Sequence, residues 1–204
     1  MNHFYYKSIR FILQCIFQLI VLSAGLFAQE VSLKSSVTVP DFISLPEIRW
    51  IFKTNSALFS SPVTDGNLVY FGSLDSVLRA LDVNNGNEKW SFRTHGEIRS
   101  DVCLGGNILY LNGGDGSVYA LHKNTGEPIW EFRTHGERKY DFADYFHSTP
   151  VLENGVLYVG SGDGNFYALD SVTGDLIWKF KTGNIIHTKP AVAHGKIFFG
   201  SFDG

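Results

Sequence analysis

The sequence predicts an all-β protein, a β-propeller built from four-stranded antiparallel blades, on three observations. Tryptophan recurs in the pattern Trp-x-Phe-Lys/Arg-Thr, at Trp50, Trp90, Trp130 and Trp178. Glycine is frequent, with 21 of the 204 residues, and aromatic residues make up 15%. No 3.6-residue apolar period of a helix runs through the repeats, whereas four short strands in about 40 residues is the pattern of a propeller blade.

Residues 1–28 are predicted to form a secretory signal peptide. Lys7 and Arg10 make the start basic, an apolar run follows, and Ala28 is a small residue at which a signal peptidase could cut. The alternative is an uncleaved membrane anchor, since the apolar run is just long enough to span a bilayer. Residues 29–46 are interpreted as a linker. The protein is therefore expected to be exported, to the periplasm or to the cell surface in association with the outer membrane, and to meet a membrane only transiently.

Charge and cysteine content argue against a nucleic-acid-binding protein and against a domain held together by disulfides. The net charge is −3, and no basic stripe of the kind that binds nucleic acid is present. After removal of the signal peptide, Cys103 is the only cysteine, so no intramolecular disulfide can form. The mature domain must therefore be held together by the packing of its sheets.

Each repeat contains four predicted strands. The Trp-x-Phe-Lys/Arg-Thr pattern predicts the outermost strand, with the aromatic residues on one face and the basic residues in solvent. An Asp-x-x-x-Gly hairpin turn precedes it, except that His122 replaces the aspartate once. The two inner strands precede this hairpin. Residues 47–54 are expected to supply an outermost strand alone, three complete blades follow near 58–94, 98–134 and 147–182, and the first two strands of another blade follow those.

The repeat resembles that of the quinoprotein-like (PQQ-repeat) β-propellers. The resemblance is fullest at Ala168, Asp170, Thr173, Gly174 and Trp178, and it covers about residues 50 to 204. It implies a closed ring of seven or eight blades, so residues 47–204 are expected to be an incomplete propeller within a longer protein. The family includes dehydrogenases, non-catalytic assembly factors and sensor domains, so the fold alone does not assign a chemistry.

The predicted function is that of an exported, non-catalytic scaffold that binds an envelope protein or a small ligand. The chain is similar to the non-catalytic propeller of outer-membrane barrel assembly in its short blades, but it lacks that protein's lipoprotein cysteine. Two alternatives are a fragment of a PQQ-dependent dehydrogenase and a sensor domain. The resemblance associates the dehydrogenases with a vicinal cysteine pair and with calcium ligands, and no such pair is present. PQQ with calcium is expected only under that alternative, and no catalytic, cofactor-binding or metal residue is assigned.

The longest connection between blades, residues 135–147, contains the first candidate contacts. It accounts for the 48-residue gap between the last two tryptophans and is rich in aromatic and acidic residues. One interpretation is a contact loop for a ligand or partner, with Tyr140, Asp144 and Tyr145 as candidates. The other is a loop that packs its aromatic side chains on the neighbouring blade.

His147 and His187 are the remaining candidates. Each lies three residues before a proline, so the two occupy equivalent positions at the start of an innermost strand, near the channel. They are either a pair of imidazoles that face a ligand or metal, or a consequence of the repeat; two histidines without a third ligand are weak evidence for a metal. The Gly-Asp-Gly turns are explained by turn chemistry, because their carboxylates do not cluster as in a calcium loop.

Overall fold

The computed structural model describes residues 47–138 and 146–204. The chain divides into two units, 1–47 and 48–204, and every described strand lies in the second. These residues contain no helix, and hence none that would reach across a lipid bilayer.

The first blade contains β1 (Val63–Thr64), β2 (Leu68–Gly72), β3 (Val77–Asp82) and β4 (Glu88–Arg93). The second contains β5 (Cys103–Gly105), β6 (Ile108–Asn112), β7 (Ser117–His122) and β8 (Pro128–Arg133). The third contains β9 (Val151–Glu153), β10 (Val156–Gly160), β11 (Asn165–Asp170) and β12 (Leu176–Lys181), and a hairpin of β13 (Ala191–Ala193) and β14 (Lys196–Phe198) follows.

Each blade is an antiparallel meander whose strands pair in chain order. The predicted all-β fold of propeller blades, three complete and a fourth begun, is therefore confirmed. The third and fourth strands of every complete blade shift register at the same place, between Ala80 and Leu81 and at the equivalent pairs of the next two blades. This repeated bulge adds twist to the outer edge, and such edges resist pairing with foreign strands.

The single strand predicted at residues 47–54 is not a strand in the structure. A strand requires a partner to accept its main-chain hydrogen bonds, and no described strand pairs with this segment. Its tryptophan nevertheless occupies the position that the repeat assigns to it. Trp50 Nε1 donates a hydrogen bond to the carbonyl of Val83, at 2.9 Å.

The same contact joins each later pair of blades. Trp90 Nε1 donates to the carbonyl of Lys123 at 3.0 Å, and Trp130 Nε1 donates to that of Ser171 at 3.2 Å. Each indole ring lies over the glycine of the following Asp/His-x-x-x-Gly turn. At Gly126, a Cβ would come within 2.4 Å of the Trp90 ring, and φ is +74°. Glycine is therefore required here both for the turn and for the space that the ring occupies.

The hydrophobic core lies between successive blades. Buried side chains of the first two blades form one cluster, which comprises Tyr70, Leu78, Ala80, Ile98, Val102, Leu109, Leu111, Tyr119 and Leu121. The opposite face of the second blade packs on the third in a second cluster, which comprises Tyr110, Val118, Ala120, Leu157, Val159, Tyr167 and Leu169. Each fully buried side chain of this size contributes about 1.5–3 kcal/mol, so the blades are stabilised by their neighbours.

Candidate functional site

The Gly-Asp-Gly turns join each blade to the one before it. Asp115 accepts hydrogen bonds from the amide of Ser117 in its own turn and from the amide of His95 in the preceding blade, both at 2.9 Å. The hydroxyl of Tyr119 donates to the same carboxylate. Turn chemistry therefore accounts for the carboxylate, as the sequence suggested, and the bond to the preceding blade is an addition that the sequence did not reveal.

Asp163 repeats this arrangement at the next junction. Its carboxylate accepts from the amides of Asn165 and His135, at 2.7 and 3.0 Å, and from the hydroxyl of Tyr167. Burial acts to raise the pKa of Asp163, but these hydrogen bonds outweigh it and hold the pKa below the ordinary value. Burial and the adjacent carboxylate raise the pKa of Tyr167. The pair is thus fixed as a carboxylate that accepts from a neutral phenol.

The junction between the second and third blades departs from the others. The Gly114 amide donates to the carbonyl of Glu97 at 2.8 Å, and the Phe202 amide donates to that of Ile185 at 3.0 Å. At the equivalent place, the Gly162 amide donates instead to Oε2 of the Glu137 side chain, at 3.0 Å. A carboxylate therefore replaces a main-chain carbonyl at the point where the long connection begins.

The second oxygen of this carboxylate binds a histidine of the next repeat. Glu137 Oε1 lies 2.5 Å from His187 Nε2, and the two side chains are only 1% and 4% exposed. The rings of His147 and His187 are in edge-to-face contact, with 5.4 Å between their centroids. The sequence pointed to both histidines, and the structure brings them together with a carboxylate that the sequence analysis missed. A signal was available, because Glu137 directly precedes the insertion that lengthens the repeat.

The other predicted contacts cannot be placed in the same way. Tyr140, Asp144 and Tyr145 lie outside the described residues. In the described ranges, no group of three or more His, Cys, Asp or Glu side chains is arranged to hold a metal ion.

A cavity of about 280 Å³ lies beside the two histidines. It is lined by Ser61, Arg99, Asp101, Phe146, His147, Thr149, His187 and Lys189. These residues come from the start of four consecutive repeats. The cavity is therefore walled by the innermost ends of the blades, where the propeller places its channel.

The blades, their tryptophan contacts and their aspartate turns define a PQQ-repeat β-propeller. The family model described as outer membrane protein assembly factor BamB matches residues 46–139 and 114–204. The chain belongs to this family. No curated protein matches the sequence.

Solved structures support the fold. BamB from Moraxella catarrhalis is similar with a TM-score of 0.68 and 20% identity, over 78% of this chain and 51% of that chain. The computationally designed Ika4 protein is similar with a TM-score of 0.64 and 17% identity, over 79% and 95% of the two chains. A quinohemoprotein alcohol dehydrogenase, ADHIIG from Pseudomonas putida HK5, has a TM-score of 0.53 and 21% identity, over 64% and 21%. The chain thus spans about half the length of the BamB structure that it matches.

Proposed function

We propose that this chain is an exported, non-catalytic β-propeller that binds a protein or ligand in the cell envelope. The family description, outer membrane protein assembly factor, supports a protein partner in that compartment. The basic and apolar start of the sequence supports export. A propeller offers a rigid frame whose connections between blades can differ without loss of the fold, which suits a binding role.

The junction at Glu137 is the observation on which this proposal depends. The Trp-to-carbonyl contacts and the Gly-Asp-Gly turns recur from blade to blade and join neighbouring blades, so their role is to stabilise the fold. The departures from the repeat meet at one place, where Glu137 contacts His187 and the inserted connection begins. Phe146, at the end of that connection, is 59% exposed although it is large and apolar. Exposed aromatic side chains are enriched where proteins contact partners.

Binding is favoured over quinone-dependent dehydrogenation by the residues themselves. The two cysteines of the chain, Cys15 and Cys103, are not adjacent, and the described residues provide no cluster of calcium ligands. Tyr140, Asp144 and Tyr145 remain candidate contacts, because they share with Phe146 the connection formed by residues 135–147.

Site-specific photo-crosslinking in the native host tests the proposal. A photoreactive amino acid is placed at Phe146, and a matched one at Val172, which is 67% exposed in an outer turn. We expect the chain in the envelope fraction, and we expect one envelope protein to be crosslinked from position 146 but not from position 172. A cytoplasmic location, or the same crosslinks from both positions, would contradict the proposal.

A further inference from the structure

One position at the start of each repeat is constant and serves the blade itself. It is occupied by a hydroxyl side chain in all four repeats, namely Ser60, Ser100, Ser148 and Thr188. Each hydroxyl bonds to the main chain twelve residues later in its own repeat; Ser60, for example, accepts from the amide of Gly72 and donates to its carbonyl, at 2.9 and 2.8 Å. The architecture of the blade therefore explains why this position does not vary.

The two positions that flank this hydroxyl vary in charge from repeat to repeat. The preceding position is occupied by Phe59, Arg99, His147 and His187, and the following one by Ser61, Asp101, Thr149 and Lys189. All but Phe59 line the same cavity of about 280 Å³. Packing of a repeated blade would be satisfied by repeated residues. The positions that face the cavity therefore differ from repeat to repeat, whereas the hydroxyl position that serves the blade does not.

The cavity presents both signs of charge. Arg99 is held by Glu97, with 3.3 Å between Nε and Oε1, and its guanidinium lies 5.1 Å from the centre of the Phe59 ring. The carboxylate of Asp101 accepts a hydrogen bond from the amide of Ser61 at 2.5 Å. Within residues 47–138 and 146–204, neither Asp101 nor Lys189 has an oppositely charged group within 4.0 Å. An acid and an amine thus line one cavity without neutralising each other.

We infer that this cavity binds a small zwitterion, an amino acid or a dipeptide. The ligand carboxylate would lie at Lys189 and Arg99, and its ammonium group at Asp101. A volume of about 280 Å³ lies just below the range of drug-sized sites, about 300–1,000 Å³, and suits a ligand of this size. Hydrogen bonds between charged groups are the strong ones, so two of them fix the ligand's direction. The inference goes beyond the proposed function, because it does not depend on a protein partner.

An NMR titration of the full chain with three probes tests the inference. Glycylglycine carries both charges, N-acetylglycine only the carboxylate, and glycinamide only the ammonium group. We expect glycylglycine to shift the amide signals at the cavity and each single-charge probe to bind about tenfold more weakly, since each of these probes lacks one of the two charge-assisted hydrogen bonds. Absence of binding of glycylglycine to the folded chain would overturn the inference.

Two charge-removing variants assign the two ends of the ligand. Lys189→Gln should weaken glycylglycine about tenfold and leave glycinamide unchanged. Asp101→Asn, which keeps an oxygen for the Ser61 amide, should weaken glycylglycine by a similar factor and leave N-acetylglycine unchanged. The controls Lys179→Gln and Asp175→Asn remove the same charges outside the cavity and should change nothing. Equal binding by all four variants would also overturn the inference, whatever the crosslinking experiment shows.

Discussion

The carboxylate of Glu137 binds the imidazole of His187 across fifty residues of sequence, with both side chains removed from solvent. The same carboxylate also accepts from the amide of Gly162 in the third blade. Three successive repeats are therefore tied by one side chain. Because water is excluded, the partners depend on one another far more than they would at the surface.

Replacement of Glu137 by alanine should lower the free energy of unfolding by about 3 kcal/mol, because the buried imidazole of His187 and the amide of Gly162 would both lose their bond to this carboxylate. Glu127→Ala, in an exposed turn, should change it by less than about 0.5 kcal/mol. Urea denaturation followed by circular dichroism gives both values. A similar small effect for the two variants would show that the pair contributes little.

The contact between Trp90 and Gly126 predicts a second stability effect. In Gly126→Ala, the new Cβ would meet the indole ring at 2.4 Å, and the residue would have to keep a φ of +74°. Strain and overpacking together should destabilise the chain by about 3 kcal/mol. Gly106→Ala is the matched control, because φ there is +59° but nothing lies within 4 Å of the added Cβ. Thermal unfolding should place the Gly106 variant between the unchanged chain and the Gly126 variant, and equal melting temperatures for the two variants would refute the role of the ring.

Acid should weaken the first blade through Asp65. Burial acts to raise the pKa of Asp65, but hydrogen bonds from the amides of Leu68 and Asn67 and from the side chains of Lys123 and Tyr70 lower it from 3.8 to about 2. A depressed folded-state pKa contributes stability that is present above the unfolded value and is lost as the pH falls from about 4 to about 2. Asp65→Asn should therefore be less stable by about 1 kcal/mol at pH 6, with the difference shrinking towards pH 2. Urea denaturation at both pH values measures it, and a difference that does not depend on pH would contradict this assignment.

Alkaline pH should lower the stability of the protein through Tyr119, whose hydroxyl donates a hydrogen bond to Asp115. Burial and the neighbouring Asp115 raise the pKa of Tyr119 above the ordinary value of 10.0. A neutral phenol is thus favoured in the folded state, and the stability that it contributes should be lost as the pH rises above about 10. Ultraviolet titration of phenolate should show Tyr119 ionising only after the exposed tyrosines or on unfolding. In Tyr119→Phe, that late fraction should decrease; an unchanged late fraction would mean that another tyrosine causes it.

The periodic part of the structure could be predicted from the sequence, because each strand repeats a local pattern. The aromatic alternation at Trp90 and Trp130 predicted the outer strands, and the structure has them at β4 and β8. The strand at residues 47–54 was predicted wrongly, because the pattern records which face is apolar but not whether a partner strand is present. Trp50 keeps its contact with Val83 since that contact needs the next blade only.

The candidate site was predictable only in part. His147 and His187 stood out because they occupy equivalent positions in adjacent repeats. Glu137 did not, because Glu97 occupies the corresponding place after the same Arg-Thr-His-Gly sequence and has a different role. The Glu137 side chain takes the place of a main-chain carbonyl, and this substitution depends on how two blades are placed relative to each other. The lengthened repeat marks where this junction lies, but no local pattern shows which groups meet there.

The tryptophan contacts also bear on the order in which the blades can assemble. Trp50 and Trp90 each bond to a carbonyl 33 residues further along the chain, and Trp130 bonds to one 41 residues further. Each of these contacts therefore needs only the hairpin of the following blade and no later part of the polypeptide. The contacts thus permit the blades to assemble in chain order, with each tryptophan bonding to the hairpin of the blade that follows it.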